Sequence, residues 1–351
     1  MNTRFRSIGA LALLLIVGVG LWARLQNDSS AQLYELNGHT MGTTYSIKLL
    51  ELPAAIEPDA FAAEIEALLF SLDKQIMSTY APESELSVIN RAPVGEALAI
   101  SSQMNDVLSL ALELSELTDG AFDVTVGPLV NRWGFGPTAM RTQLPSDAEI
   151  AQLRERVGYD KIVLDQVSGT LTKLSDVYID LSGIAKGYAV DRVAALFDSY
   201  AVASYFIEIG GELRIKGYKP NQQSWVPAIE KPVDTAPQVH NIFYANGRSI
   251  AVAGSGDYRN YFEQNGVHYS HEIDPKTGRP VTHNLAAVYV IDETAARADA
   301  LATAFMVMGG ERGRAFAQQQ GLAVYFISKR SDAEGFEDYF TKAFEQYLEP
   351  Q

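Results

Sequence analysis

Residues 270–305 read SHEIDPKTGRPVTHNLAAVYVIDETAARADALATAF, and this stretch sets the expectation for everything around it. Its last third, ETAARADALATAF, predicts a helix over 293–308, because those positions hold good helix formers and neither proline nor glycine. On such a helix Asp299 and Thr303 stand one turn apart on one face. A carboxylate and a hydroxyl so placed suit a hard cation such as magnesium better than zinc. Taken alone the pair is equally a solvated helix end. Its neighbours Leu301, Ala302, Ala304, Phe305, Val307 and Met308 are apolar, however, so a carboxylate there calls for a partner. The middle third, AAVYVID, is strand-like. The first third holds the turn DPKTG, in which Pro275 and Gly278 fix a tight loop after Asp274, with His271 and Glu272 just upstream.

Outward from this stretch, composition removes several classes of function. The formal charge of −15 argues against a nucleic-acid partner, because phosphate backbones demand a basic surface. With no cysteine in 351 residues, disulfides, thiolate catalysis and cysteine-ligated zinc are all excluded. His268 and His271 form an H-x-x-H pair. In an extended segment two residues three apart face opposite ways, which speaks against a shared zinc. Arg4 and Arg6 precede an apolar run from 8 to 22, the pattern of an export signal or an uncleaved anchor. We therefore expect residues 1–26 to be a signal peptide or membrane anchor, 27–32 a linker, and 33–345 a folded domain in the bacterial periplasm, tethered to or exported across the inner membrane.

Along the folded part, TTYSIKLL alternates as a half-buried strand should, after YELNG and an interruption at 38–42. A helix is expected over 58–77, with Phe61, Ile65, Leu68, Leu69 and Leu72 on its buried stripe. The segment MSTYAPESELSVINRAP (77–93) is too rich in turn formers for a long element. Ser101 and Ser102 cap a helix to Leu117, which stops at Gly120 in TDGAFDVTVGPL. NRWGFG (131–136) suits lining a flat ring or plain packing. A short helix over 147–156 leads into the strand pair KIVLD and TLTKL. IDLSGIAKGYAVD then places Asp180 at a strand end, Gly183 in a turn and a helix over 184–197, with Lys186 in its first turn. A cation is disfavoured there unless an anion is close. IEIGGE (207–212) reads as a buried strand ending in paired glycines, either a bulge or a close approach to a ligand. Further strands over 225–230, 249–254, 258–262 and 322–328 give an α+β protein with a mostly antiparallel sheet.

Taken together, Met41-Gly42-Thr43, MSTYAPESELSVIN, TDGAFDVTVGPL, IDLSGIAKGYAVD, IEIGGELRIKG, HEIDPKTGRPV and DALATAF resemble the ApbE family of flavin transferases, in this order and across about 33–345. The resemblance implies an α+β fold in which FAD lies between two closely packed subdomains. It implies that Met41 and Tyr80 line the flavin and its neighbours, that Ala121, Phe122 and Asp123 contact the dinucleotide, and that Asp180, Lys186, His271 and Ile273 add further FAD contacts. It implies Mg²⁺ held by the Gly183 carbonyl with Asp299 and Thr303, the pair already read from the helix. The implied reaction transfers FMN from FAD to a threonine or serine hydroxyl of another protein and releases AMP. His271, whose residue type titrates near neutrality, is the best candidate for the base. The implied acceptors are subunits of membrane redox complexes, of the sodium-pumping NADH:quinone reductase or Rnf type. Two other readings stand beside it: hydrolysis of FAD to FMN and AMP at the same site, and a non-catalytic periplasmic FAD-binding protein. A metal site and a base count against the latter.

Overall fold

The computed structural model describes residues 33–52, 56–137 and 143–350. The expected signal or anchor at 1–26 and the linker at 27–32 lie outside the described residues. Among the described residues no helix is long and apolar enough to cross a membrane.

One eight-stranded sheet organises the chain. Its spatial order is β1 (Leu33–Thr40), β2 (Thr43–Leu50), β6 (Tyr205–Ile209), β7 (Glu212–Gly217), β10 (Gly247–Gly256), β15 (Leu285–Asp292), β16 (Ala323–Lys329) and β17 (Phe336–Phe340). Every neighbouring pair in it runs antiparallel. Strand alternation divides its side chains between two cores. In β10, Ala251 and Ala253 face one core while Ile250 and Val252 face the other, and in β16 Val324 and Phe326 oppose Ala323, Tyr325 and Ile327. The β1–β2 hairpin closes on two residues, Met41 at φ 49° and Gly42 at φ 72°, so the expected interruption at 38–42 shrinks to a two-residue turn. A three-stranded sheet, β3 (Ala97–Ala99), β5 (Thr170–Lys173) and β4 (Ile162–Asp165), stands apart from the large one.

Most of the helices cover the first core. α1 (Pro58–Phe70) holds Phe61, Ile65 and Leu69 inward and then widens into a π-helical segment over Ser71–Met77, which the sequence presents as one continuous helix. α2 (Glu85–Arg91), absent from the sequence reading, begins at Ser84, whose hydroxyl accepts the Ser87 N–H. α3 (Ser102–Leu117) is capped in the same way by Ser101, and α4 (Gly127–Trp133) and α5 (Asp147–Arg154) follow. α6 (Ala185–Ser199) lies against α7 (Ala295–Gln320), and α8 (Lys342–Glu345) closes the chain. α4 and α5 bury Leu129, Trp133 and Ile150 in a third cluster with Ile273, and α8 packs Phe344 in the second core.

α7 runs beyond the expected end at Met308 by turning sharply at Gly309, where φ is 76° and ψ 175°. The break frees the Met306 carbonyl, which accepts a hydrogen bond from His283 Nε2 at 2.6 Å. A second helical run after the glycine pair is invisible to propensity alone, since Gly309-Gly310 reads as a stop.

The α6–α7 contact is tight. A methyl group at Gly187 would sit 2.2 Å from the Ala295 carbonyl oxygen and 2.7 Å from Ala296 Cα, both backbone atoms that cannot turn aside. We expect Gly187→Ala to lower the free energy of unfolding by about 3 kcal/mol or to prevent folding. Val167→Ala, at a side chain 99% exposed, should stay within about 0.5 kcal/mol of the parent in the same denaturant titration.

Candidate active site

The site starts from the α6–α7 crossing. Asp191 on α6 caps α7, its two carboxylate oxygens each accepting one N–H, from Ala295 and Ala296, both at 2.9 Å. That cap fixes the two helices in register. One turn further along α7, Asp299 Oδ2 accepts the Gly187 N–H at 3.1 Å and lies 3.7 Å from Lys186 Nζ. Thr303 follows on the same face, and its hydroxyl comes so near Gly183 that a methyl there would be 3.0 Å from Oγ1.

The turn before α6 is held by a distant side chain. Asn90 on α2 donates to the Ile179 carbonyl at 2.8 Å and accepts the Ile179 N–H at 2.7 Å, acting as one more strand partner. Asp180 donates its N–H to the Val124 carbonyl and accepts the Ser182 N–H at Oδ1. Asp180 therefore stands in an irregular turn rather than at a strand end, pinned by bonds that leave its side chain facing the cavity.

From the sheet comes a residue that sequence reading missed. The glycine pair after β6 is a two-residue hairpin loop, with φ 62° at Gly210 and 106° at Gly211, and it turns Glu212 inward. Glu212 is 2% exposed, and its Oε1 lies 2.9 Å from Lys186 Nζ, while Oε2 is buried with no hydrogen-bond partner. Gly210 is needed here because a side chain would strike Thr43 at 2.7 Å and Lys186 at 3.1 Å. The pair thus admits the chain's own side chains.

Electrostatics follow from these contacts. Burial pushes Glu212 up to about 8 and raises Asp299 also, with Lys186 partly offsetting both. Burial works against the Lys186 charge too, but Asp299 and Glu212 outweigh it and raise that group above its ordinary value. With both buried carboxylates ionised, the single ammonium would leave the trio one negative charge in excess, and a proton held on Glu212 removes it. Such a trio gains from a proton or a further cation.

These groups line a cavity of about 870 Å³. Tyr80, Ala121, Phe122, Asp123, Asp180, Gly183, Lys186, His271, Ile273, Asp299 and Thr303 all border it. Met41 does not: its N–H donates to the buried Asp73 at 3.0 Å and its side chain packs on the main core, so Thr43 and Thr44 border the cavity in its place. Asp123 spends its carboxylate on its own loop. It accepts from the Thr125 N–H and hydroxyl and from the Tyr159 N–H, while burial raises its pKa. In the NRWGFG segment Trp133 is 4% exposed and donates to the Gly278 carbonyl at 2.8 Å, supporting the DPKTG turn from below; Phe135 borders the cavity. His268 and His271 part company as their spacing implies. The His268 ring stacks on Tyr261 with centroids 4.4 Å apart, and His271 turns to the cavity, its Nε2 3.5 Å from Glu272 Oε1.

A cleft of this volume, bordered by glycine turns and holding a half-buried lysine between two buried carboxylates, has the make-up of an enzyme's ligand site. The chain belongs to the ApbE family, whose model matches residues 41–326. It is 44% identical over 322 residues to the FAD:protein FMN transferase of Vibrio cholerae serotype O1, covering 92% of this chain and 94% of the relative. To the FAD:protein FMN transferase of Haemophilus influenzae it is 41% identical over 330 residues, covering 92% and 93%. The solved flavin transferase ApbE from Vibrio cholerae superposes with a TM-score of 0.82 at 42% identity, over 91% of this chain and all of that one.

A pH test follows from the buried trio. Glu212 has an ordinary value of 4.5 and a folded value of about 8, so its favourable contribution is complete below pH 4.5 and is lost as pH rises through 8. Lys186 is constant over this window, since both its values lie above it. Relative to Glu212→Gln, the parent protein should therefore lose about 3 °C or more in melting temperature between pH 5 and pH 8.5 in metal-free buffer. Parallel melting profiles for the two proteins would overturn the assignment.

Proposed function

We propose that this chain transfers the FMN moiety of FAD to a threonine or serine hydroxyl of a target protein and releases AMP. The observation that carries the reading is the convergence of Lys186, Glu212, Asp299, Thr303 and Gly183 on one wall of a dinucleotide-sized cavity, in a chain 44% identical to a protein of that name. Lys186 offers its ammonium to the diphosphate. Asp180 and the 121–123 loop border the same space.

The residues present fit a hard cation. Both contacts of Asp299 fall on Oδ2, Thr303 Oγ1 approaches Gly183 with no side chain between, and the trio, neutral only when Glu212 holds a proton, can take a cation in that proton's place. A carbonyl, one carboxylate and one hydroxyl make an all-oxygen set, the donor chemistry that suits magnesium. The Gly183 carbonyl, Asp299 and Thr303 would hold Mg²⁺, which would supply positive charge to neutralise the diphosphate.

The chain's own groups do the rest. The acceptor hydroxyl oxygen forms a bond to the FMN phosphorus, the bond from that phosphorus to the bridging oxygen breaks, and AMP leaves with the electron pair. His271 takes the hydroxyl proton, at a ring that borders the cavity. Lys186, whose charge is held by two carboxylates, meets the negative charge on the diphosphate. The acceptors we infer are subunits of membrane redox complexes of the sodium-pumping NADH:quinone reductase or Rnf type. The apolar run at 8–22 behind Arg4 and Arg6 supports a periplasmic enzyme held near them at the inner membrane, where tethering raises effective concentration.

The test is mass spectrometry of such an acceptor subunit after incubation with the protein, FAD and Mg²⁺. A threonine adduct of FMN mass is expected, formed at least ~100-fold more slowly by Asp299→Ala. Free FMN and AMP with unmodified acceptor would make the protein a hydrolase. FAD recovered intact would make it a binding protein.

A further inference from the structure

Glu272 is a buried acid in the active-site wall to which no role attaches so far. It is 6% exposed, yet it borders the cavity beside His271. Its Oε1 accepts the Ser255 hydroxyl at 2.6 Å, and its own N–H donates to Ser270 Oγ at 3.2 Å. The first bond fixes the carboxylate against β10, and the second ties the backbone to the end of β12 (Val267–Ser270). From that position Oε1 lies 3.5 Å from His271 Nε2.

The two nitrogens of His271 differ sharply. Nδ1 is buried and has no hydrogen-bond partner, whereas Nε2 stands beside a fixed carboxylate. The ring is held at its flank by Phe135, edge-on with centroids 6.3 Å apart, and its backbone N–H donates to the Asn260 carbonyl. Among the described contacts of the ring, Glu272 is the one anion. An imidazole that takes a proton becomes a cation in a largely enclosed wall. That cation needs a compensating charge within a few ångström.

We infer that Glu272 is a positioning residue for the transfer reaction: held by Ser255, its carboxylate stands beside Nε2 and stabilises the imidazolium that forms when the acceptor hydroxyl gives up its proton there. This rests on the reading of His271 as the base. The proton moves from the hydroxyl oxygen to Nε2, the oxygen bonds to phosphorus, and AMP carries away the electron pair of the broken bond; Glu272 forms no covalent bond.

The other charges around the pair are accounted for. From α6, Lys186 lies within electrostatic range of Glu272 but is bound to Glu212 and near Asp299. From the neighbouring strands, Asp257 pairs with Lys329 at 2.7 Å and has His268 Nε2 at 3.9 Å. Arg259 is committed to Glu230. Each has its own partner, which leaves Glu272 to His271.

Removing an anion beside an imidazole makes the ring harder to protonate and a weaker base. In the full chain with FAD, Mg²⁺ and acceptor subunit, Glu272→Gln should therefore lower kcat about 10- to 100-fold while KM for FAD stays within about threefold. The acid limb of its kcat/KM profile should move to lower pH. Glu272→Asp, which keeps the charge, should hold the limb at the parent's position even if slower, and it serves should the glutamine variant fail to fold. A limb that stays put in Glu272→Gln, whether or not kcat falls, or a limb that moves equally in Glu272→Asp, overturns the inference. His271→Ala separates the two levels: if it retains full transfer activity, the base assignment itself fails; if it is inactive while Glu272→Gln keeps the parent profile, only the role of Glu272 fails.

Discussion

The contact between α6 and α7 at Gly187 is the constraint from which the active site follows. Two backbones approach so closely that neither tolerates a methyl group between them, and Asp191 caps one helix with a side chain of the other. Helix register is thereby set to within a residue. Lys186 precedes the contact and Asp299 follows the cap by one turn, so an ammonium and a carboxylate from distant parts of the chain are brought to 3.7 Å without a loop in between. Groups carried on packed helices hold their positions better than groups carried on loops.

The sheet adds its share of the same wall by the same economy. The β6–β7 hairpin turns on two glycines with positive φ, and the first of them lies under Thr43 and Lys186. Its tightness puts Glu212, the first residue of β7, into the space between sheet and helix. A buried acid with one oxygen unpartnered is costly in a resting protein. Such a cost is sustained where the free lone pair is used, and it falls here beside the groups proposed to meet the diphosphate.

Much of this was legible in the sequence, and the omissions have physical causes. Helix α3 with its Ser101 cap, the strand pair β4–β5, and the placing of Asp299 and Thr303 on one helix face follow from local periodicity and capping. Glu212 was not legible, because a glutamate after paired glycines has the same local signature whether it points to solvent or inward. The same holds for Asn90, which serves as a strand partner for Ile179 across 89 residues. Met41 was displaced from the cavity because a two-residue hairpin turns its side chain onto the core while its neighbours Thr43 and Thr44 face the ligand space. The second half of α7 was hidden by Gly309, which breaks the helix only for one residue once His283 satisfies the freed carbonyl.

An overall charge of −15 sets the last physical problem, since the ligand read from the site is itself a polyanion. The long-range field of such a protein repels a dinucleotide, so affinity has to come from short-range terms. Within the cavity wall Lys186 is bound between two acids and Arg259 is paired with Glu230, which leaves little positive charge to spare. Ring contacts and backbone groups at the glycine turns are indifferent to that field. At the proposed metal site, a divalent cation arriving with the diphosphate would cancel its two negative charges beside the carboxylates of the trio. The acidity that repels a free dinucleotide is the property that, at the proposed site, would favour a metal-bound one.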